Sequence, residues 1–309
     1  MAKKNAANVA VVKTKTTWKQ AFKRDWQLYL LLLFPLIMVI VFSYGAYPGL
    51  RMAFMDYKPA KGYAGSEWVG MKTFIKIFKD ADFMRALRNS VVFNLADLLV
   101  GFPMPIILAL ILNMKFKGRR FLRTIVLIPW AMPAVVAGMA AKWAFNNDYG
   151  LINDFIRWFV PGYQNSWLIN TGTARAAVIA MDLWKDLPFF AILVLSGLQF
   201  ISGDIYEAAK VDGANGIQSF FRITLPLIAK NVLTLCIPFT LWRLTTFDLV
   251  YSMTSGGPGE DTALIAYRIT TEAFTNLNVG YASALAMLLF VVMAIFSWLN
   301  IRVMSKFDS

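Results

Sequence analysis

Six apolar runs, each about long enough to cross a lipid bilayer, decide most of what this chain can fold into. A hydrocarbon core roughly 30 Å thick needs about 20 helical residues at ~1.5 Å apiece. Runs of that size cover residues 27–48, 90–113, 124–145, 174–200, 228–251 and 279–303. With 58% apolar and only 16% charged residues among 309, a water-soluble globule is excluded. The expected fold is all-α: a basic cytoplasmic tail over 1–26, then a polytopic domain of six transmembrane helices over 27–309. The first run is expected to stay in the membrane. A long tail precedes it, it exceeds a signal-peptide core, and no small-x-small cleavage pattern closes it.

The net charge of +13 would suit nucleic acid only if the cations formed a surface stripe. They fall instead between the apolar runs, which argues for membrane flanks and against a nucleic-acid partner. Lys3, Lys4, Lys13, Lys15, Lys19, Lys23 and Arg24 precede the first run, and Lys115, Lys117, Arg119, Arg120 and Arg123 crowd one connector. Cytoplasmic connectors carry the excess of Lys and Arg, so both belong inside, two crossings apart as parity requires. The 201–227 connector and both termini then also lie inside. Residues 51–88 fit this scheme badly: eight cations against four anions, on a connector that parity puts outside.

Prolines 35, 103, 105, 129, 133, 188 and 238 interrupt five of the runs. Lipid tolerates such breaks where neighbouring helices or water satisfy the freed carbonyls, as in a bundle enclosing a pathway. Residue types close off much chemistry. The sequence has no histidine, so imidazole bases and histidine metal ligands are excluded. Its one cysteine, Cys236, sits in an apolar run, can form neither an internal disulfide nor a thiolate metal cage, and reads as a packed thiol. The string Gly65 to Thr73 resembles a phosphate-binding loop but has an extra residue before its lysine, so no nucleotide site is expected in this chain.

The connector ISGDIYEAAKVDGANGIQSFFRITLPLI is too polar for lipid and too patterned for a slack loop. Asp204 followed by Glu207 reads as a capped helix start, Gly213 as its break, and Asn215 as the start of a second helix. That helix would bring Ile217, Phe220, Phe221 and Thr224 within about a turn and end at Leu225-Pro226. EAA, three residues, Gly, nine residues, Ile-x-Leu-Pro resembles the signature loop of the permease subunits of binding-protein-dependent ABC importers. It matches at Glu207, Ala208, Ala209, Gly213, Ile223, Leu225 and Pro226. DGANGIQSFFRITLPLI and SGGPGEDTALIAYRITTEAF resemble the glycerol-phosphate and oligosaccharide permeases. RDWQLYLLLLFP and GFPMPIILALILN are similar to permeases for aldouronate-type oligosaccharides.

The resemblance implies a sugar permease that pairs with a second permease, two ATPase subunits holding Mg-ATP, and an extracellular solute-binding protein. Its 201–227 loop would be a coupling helix seated in an ATPase cleft, with Glu207 pairing a basic residue there and Phe220 and Phe221 among the coupling residues.

Charges inside the runs are costly and by default face a bundle interior or a wet cavity. Counting ~1.5 Å per residue, Asp97, Asp182 and Arg243 fall roughly 10–12 Å below one boundary on three helices. They suggest one polar layer, in which Arg243 neutralises Asp97 or Asp182 and offers hydrogen bonds to sugar. Trp184 and Trp242 would supply flat faces for sugar rings. Arg243 with Lys142 and Lys185 would favour an acidic sugar. Between the last two runs, the flexible glycines Gly256 and Gly257 with Pro258 are expected to dock or gate a binding protein. Two rivals remain from sequence: a secondary carrier titrating Asp97 or Asp182, and an intramembrane enzyme using those aspartates as a pair.

Overall fold

Apolar length becomes helix wherever prolines and buried charges allow. The computed structural model describes residues 18–305, and within them one isolated antiparallel bridge, Met55 to Trp68, stands outside an otherwise helical architecture. Lys3, Lys4, Lys13 and Lys15 lie outside the described residues. Helix α1 (Trp18–Met52) takes in the end of the expected tail and continues through Pro35. Its residues 26–50 are almost all apolar, as suits a helix solvated by lipid.

From residue 50 onward the chain forms a second unit. Besides the short helices Lys72–Ile77 and Leu151–Arg157, its helices are α2 (Ala81–Asn113), α3 (Arg119–Ala131), α4 (Ala134–Ala144), α5 (Thr171–Leu198), α6 (Gly203–Val211), α7 (Gly216–Leu244), α8 (Asp248–Met253), α9 (Ile265–Thr270) and α10 (Val279–Met304). Among the described residues, four helices (α1, α2, α7 and α10) are long and apolar enough to cross a membrane, and the bent pair α3/α4 makes a fifth if it is one span. Helix α5 has 28 residues, about 42 Å at the helical rise. It misses that count because Arg175, Asp182, Lys185 and Asp186 lie on it.

Three expected boundaries need correction. Run 124–145 is not one helix: it bends by 88° at Pro133, with Met132 extended at φ −74° and ψ 135°, the conformation a following proline imposes. Run 228–251 is displaced: its helix starts at Gly216 and stops at Leu244, leaving Asp248–Met253 as separate α8. Leu225-Pro226 does not end the second helix of the connector. A wide turn over Phe220–Thr224, in which the Leu225 N–H reaches back to the Phe220 carbonyl, lets the backbone run on through Pro226. Bonding to the fifth residue back opens the space that the proline ring would otherwise contest with a carbonyl one turn earlier. Helix α2 uses the same device over Asp97–Gly101, just ahead of Pro103.

Packing holds these helices in two layers that position the site. Ile106, Ala109 and Leu112 of α2 meet Val194, Leu195 and Leu198 of α5 and Ile228 and Val232 of α7. Further along, Phe93 of α2, Ala141 of α4, Ala177 and Val178 of α5, and Val250 and Met253 of α8 form a second cluster. Gly101 allows the close approach between them: a Cβ there would overlap Leu183 and stand 3.2 Å from the Phe239 ring.

Candidate functional site

The 201–227 segment is locally well fastened. Ser202, not Asp204, caps α6, its hydroxyl accepting from the Asp204 amide at 3.4 Å, while Asp204 sits in the first turn where the helix dipole favours an acid. Gly213, at φ +79°, turns the chain out of α6 as an L side chain would resist doing, and the Ala214 amide bonds the Ala209 carbonyl at 2.9 Å. Asn215 and Gln218 then form a reciprocal capping box, both bonds 2.9 Å. The Tyr206 hydroxyl pairs with Thr224 Oγ1 at 3.0 Å and ties α6 to the wide turn.

The expected apolar group is divided. Phe220 turns inward onto the α2/α5/α7 cluster and Thr224 is buried, whereas Ile217 and Phe221 are 72% and 61% exposed. Val211, 88% exposed, joins them, and the sequence reading missed it. Glu207, Ala208 and Pro226 are exposed, Ile223 and Leu225 half-buried, and Ala209 buried.

Deeper in the bundle, Arg243 of α7 is 2% exposed and its guanidinium is surrounded by carboxylates from two other helices. Nη1 donates to Asp182 and, at 3.0 Å, to Asp186 Oδ2. Nε lies 3.3 Å from Asp97 Oδ2. Lys185 Nζ bonds the other Asp186 oxygen at 2.9 Å. The Phe239 ring lies beneath the guanidinium at 4.8 Å. Thus α2, α5 and α7 are joined through one arginine. Removing one partner from such a buried set typically costs about 3–5 kcal/mol, because the charges left behind stay desolvated.

Three carboxylates face two cations here, and both Arg243 and Lys185 are paired within the layer. Lys142 is exposed and outside the layer. A cavity of about 120 Å³ opens beside it, lined by Asp182, Lys185, Asp186, Trp242, Thr245 and Asp248. Trp242 borders this cavity; Trp184, 48% exposed, does not. Thr245 was missed because run 228–251 was read as continuous helix. Two threonines and an aspartate in an apolar run were the available signal.

The 255–262 turn is tightly held, contrary to its expected flexibility. Arg85 donates to the Gly259 carbonyl at 2.6 Å, Asn89 to the Glu260 and Ala263 carbonyls at 3.0 Å, and Arg175 to the Asp261 carbonyl at 2.8 Å. Thr171 bonds Asp261 at 2.7 Å, and Arg268 pairs with Glu260, Asp82 and Glu272 at 3.1–3.3 Å. Gly256, at φ +80°, is buried against Tyr267, and Gly257 and Pro258 are half-buried.

Residues 101–306, which hold the 201–227 segment and most of the charge layer, match the family described as binding-protein-dependent transport system inner membrane component. The chain belongs to this family. It is therefore a multi-pass transport subunit of the inner membrane, not itself an enzyme. The permease is 34% identical to the sulfoquinovosyl glycerol transport system permease protein SmoG of Agrobacterium fabrum, over 85% of each chain. It is 35% identical to protein LplB of Bacillus subtilis, over 82% of this chain and 80% of that one. Its fold matches the structure of a bacterial ABC transporter involved in the import of the acidic polysaccharide alginate, with TM-score 0.80 and 29% identity over 94% of this chain and 98% of that one.

Proposed function

We propose that the permease carries a sugar or oligosaccharide into the cytoplasm, driven by ATP that separate subunits bind with Mg and hydrolyse. In this reading α5 is a further crossing and the bent pair α3/α4 a single one, which gives six. The termini and the 201–227 segment face the cytoplasm. A second permease completes the pathway, two ATPase subunits sit beneath, and a solute-binding protein delivers the sugar at the end carrying the 255–262 turn.

One observation carries the reading: the capped 201–227 segment leaves Val211, Ile217 and Phe221 exposed, and Glu207 with them. Exposed apolar side chains on a rigid two-helix unit fit a groove in a partner. Because Phe220 and Thr224 of the same unit are packed into the bundle, a push on the exposed face is passed to α2, α5 and α7. The charge layer joins those three helices, and Trp242 and the polar rim of the adjoining cavity offer a ring face and hydroxyl partners to a sugar. Asp97, Asp182 and Arg243 are thus a clamp at the side of the path, and the backbone around Gly256, Gly257 and Pro258 is a firm platform for the binding protein. The alginate importer is also described in complex with an alginate-pentasaccharide-bound periplasmic protein, which supports a carbohydrate cargo and that partner here.

The test is reconstitution of the complete importer in vesicles with a panel of neutral and acidic oligosaccharides. Uptake is expected only with ATP and binding protein present, and Glu207→Ala with Phe221→Ser should abolish it. Uptake by this subunit alone under an ion gradient would overturn the reading in favour of a secondary carrier.

A further inference from the structure

The cationic 51–88 connector, which fits the charge rule for its side of the membrane badly, gathers part of its excess into one cavity. The chain doubles back after α1: Asp56 N–H bonds the Glu67 carbonyl at 3.0 Å, and Val69 and Gly70 amides bond the Phe54 carbonyl at 2.9 and 3.0 Å. The Gly280 amide bonds the Tyr57 carbonyl at 2.9 Å and fixes this loop to the start of α10. Between loop, short helix Lys72–Ile77 and α10 lies a cavity of about 220 Å³, lined by Lys58, Lys72, Lys76, Thr73, Asn278 and Tyr281. Its acid, Asp56, is already paired with Lys61 at 2.9 Å. Among the described residues, Lys58, Lys72 and Lys76 have no ion-pair partner; Lys76 lies 6.0 Å from the Tyr281 ring.

We infer that this cavity holds the phosphate of an anionic phospholipid headgroup. Three ammonium groups around one concavity, with hydroxyl and amide donors beside them, match a phosphodiester. The apolar surroundings match its acyl chains. Met71, Ile75 and Phe78 alternate with the lysines and are 56–60% exposed, with Trp68 at 65%. The helix leading away, α10, exposes Phe290, Ile295 and Trp298 as a lipid-facing surface. Tyr281 of the lining packs in a cluster with Phe74, Ile77, Phe83 and Leu285, separate from those around the charge layer. Lysine beside exposed aromatics at the end of a span is the composition of a membrane interface, where each cation near an anionic surface contributes about fivefold in binding.

The test uses the intact importer in detergent, with native mass spectrometry of bound phosphatidylglycerol against phosphatidylcholine. The expected result is selective retention of phosphatidylglycerol, cut about fivefold by each of Lys58→Gln, Lys72→Gln and Lys76→Gln, abolished by the three together, and kept by the corresponding Lys→Arg variants. Inorganic phosphate and glycerol phosphate, added as soluble competitors, should leave the lipid bound. Equal retention of both lipids, or an unchanged triple Gln variant, would overturn the inference. Displacement by the soluble esters would assign the cavity to a free anion and overturn the lipid. Loss of binding-protein-stimulated ATP hydrolysis in pure phosphatidylcholine nanodiscs by the triple Gln variant would assign it to protein docking and overturn the lipid equally. Sugar uptake measured separately keeps this outcome distinct from that of the proposed transport function.

Discussion

The 201–227 segment and the 255–262 turn sit on the same bundle but satisfy themselves in different ways. The turn has its carbonyls and acids taken up by Arg85, Asn89, Thr171, Arg175 and Arg268, side chains from α2, α5 and α9. The 201–227 segment caps its own helices and leaves Val211, Ile217 and Phe221 uncovered. Polar groups bonded within the chain add to its own stability. An exposed apolar face adds none and is a cost unless something covers it. The first region is therefore expected to fail by uncoupling and the second by unfolding.

The largest effect should come from the interior. Arg243→Met strands Asp97, Asp182 and Asp186 with only Lys185 for compensation, and should lower stability by about 3–5 kcal/mol in denaturant melts of the purified permease. Arg175→Ala comes next. It removes bonds to Asp261 and Asn89 that hold the turn and should cost about 1.5–3 kcal/mol by the same assay. Phe221→Ser would sharpen the contrast: stability should change by less than about 0.5 kcal/mol, while ATP-driven uptake in reconstituted vesicles falls to background. A large loss of stability there would mean that the coupling face is part of the core.

The smallest effect is in acid. Asp80 caps α2 and accepts the Tyr281 hydroxyl. Burial raises its pKa, but that hydroxyl, the Asp82 and Phe83 amides and Arg268 lower it by more, so the carboxyl sits below its ordinary value. A depressed carboxylate stabilises the fold above the unfolded value near 4 and loses that contribution as pH falls below it. The melting temperature should thus decline as pH drops from about 4, and Asp80→Asn should flatten the decline.

Helical rise alone put Asp97, Asp182 and Arg243 at one depth, and the fold brings them into one cluster. Periodicity also contained Asp186, one turn beyond Asp182 on the same face, and it separates Trp184, two residues along, from that face. The seven matched positions of the connector were legible because they are local in sequence. What was not legible came from packing. Pro226 was read as a stop since nothing in the string announces the wide turn at Phe220–Thr224. The break after Leu244 creates a cavity that α4, α5, α7 and α8 define together. Lys58 meets Lys72 and Lys76 only through the Met55–Trp68 reversal.

The uncovered face of 201–227 is where the motor is expected to push. A photo-reactive residue replacing Phe221 in the assembled importer should capture an ATPase subunit, and the same probe replacing Trp68 at the opposite end should not. Capture from position 221 of lipid or of this chain alone, with the ATPase untouched, would contradict the account.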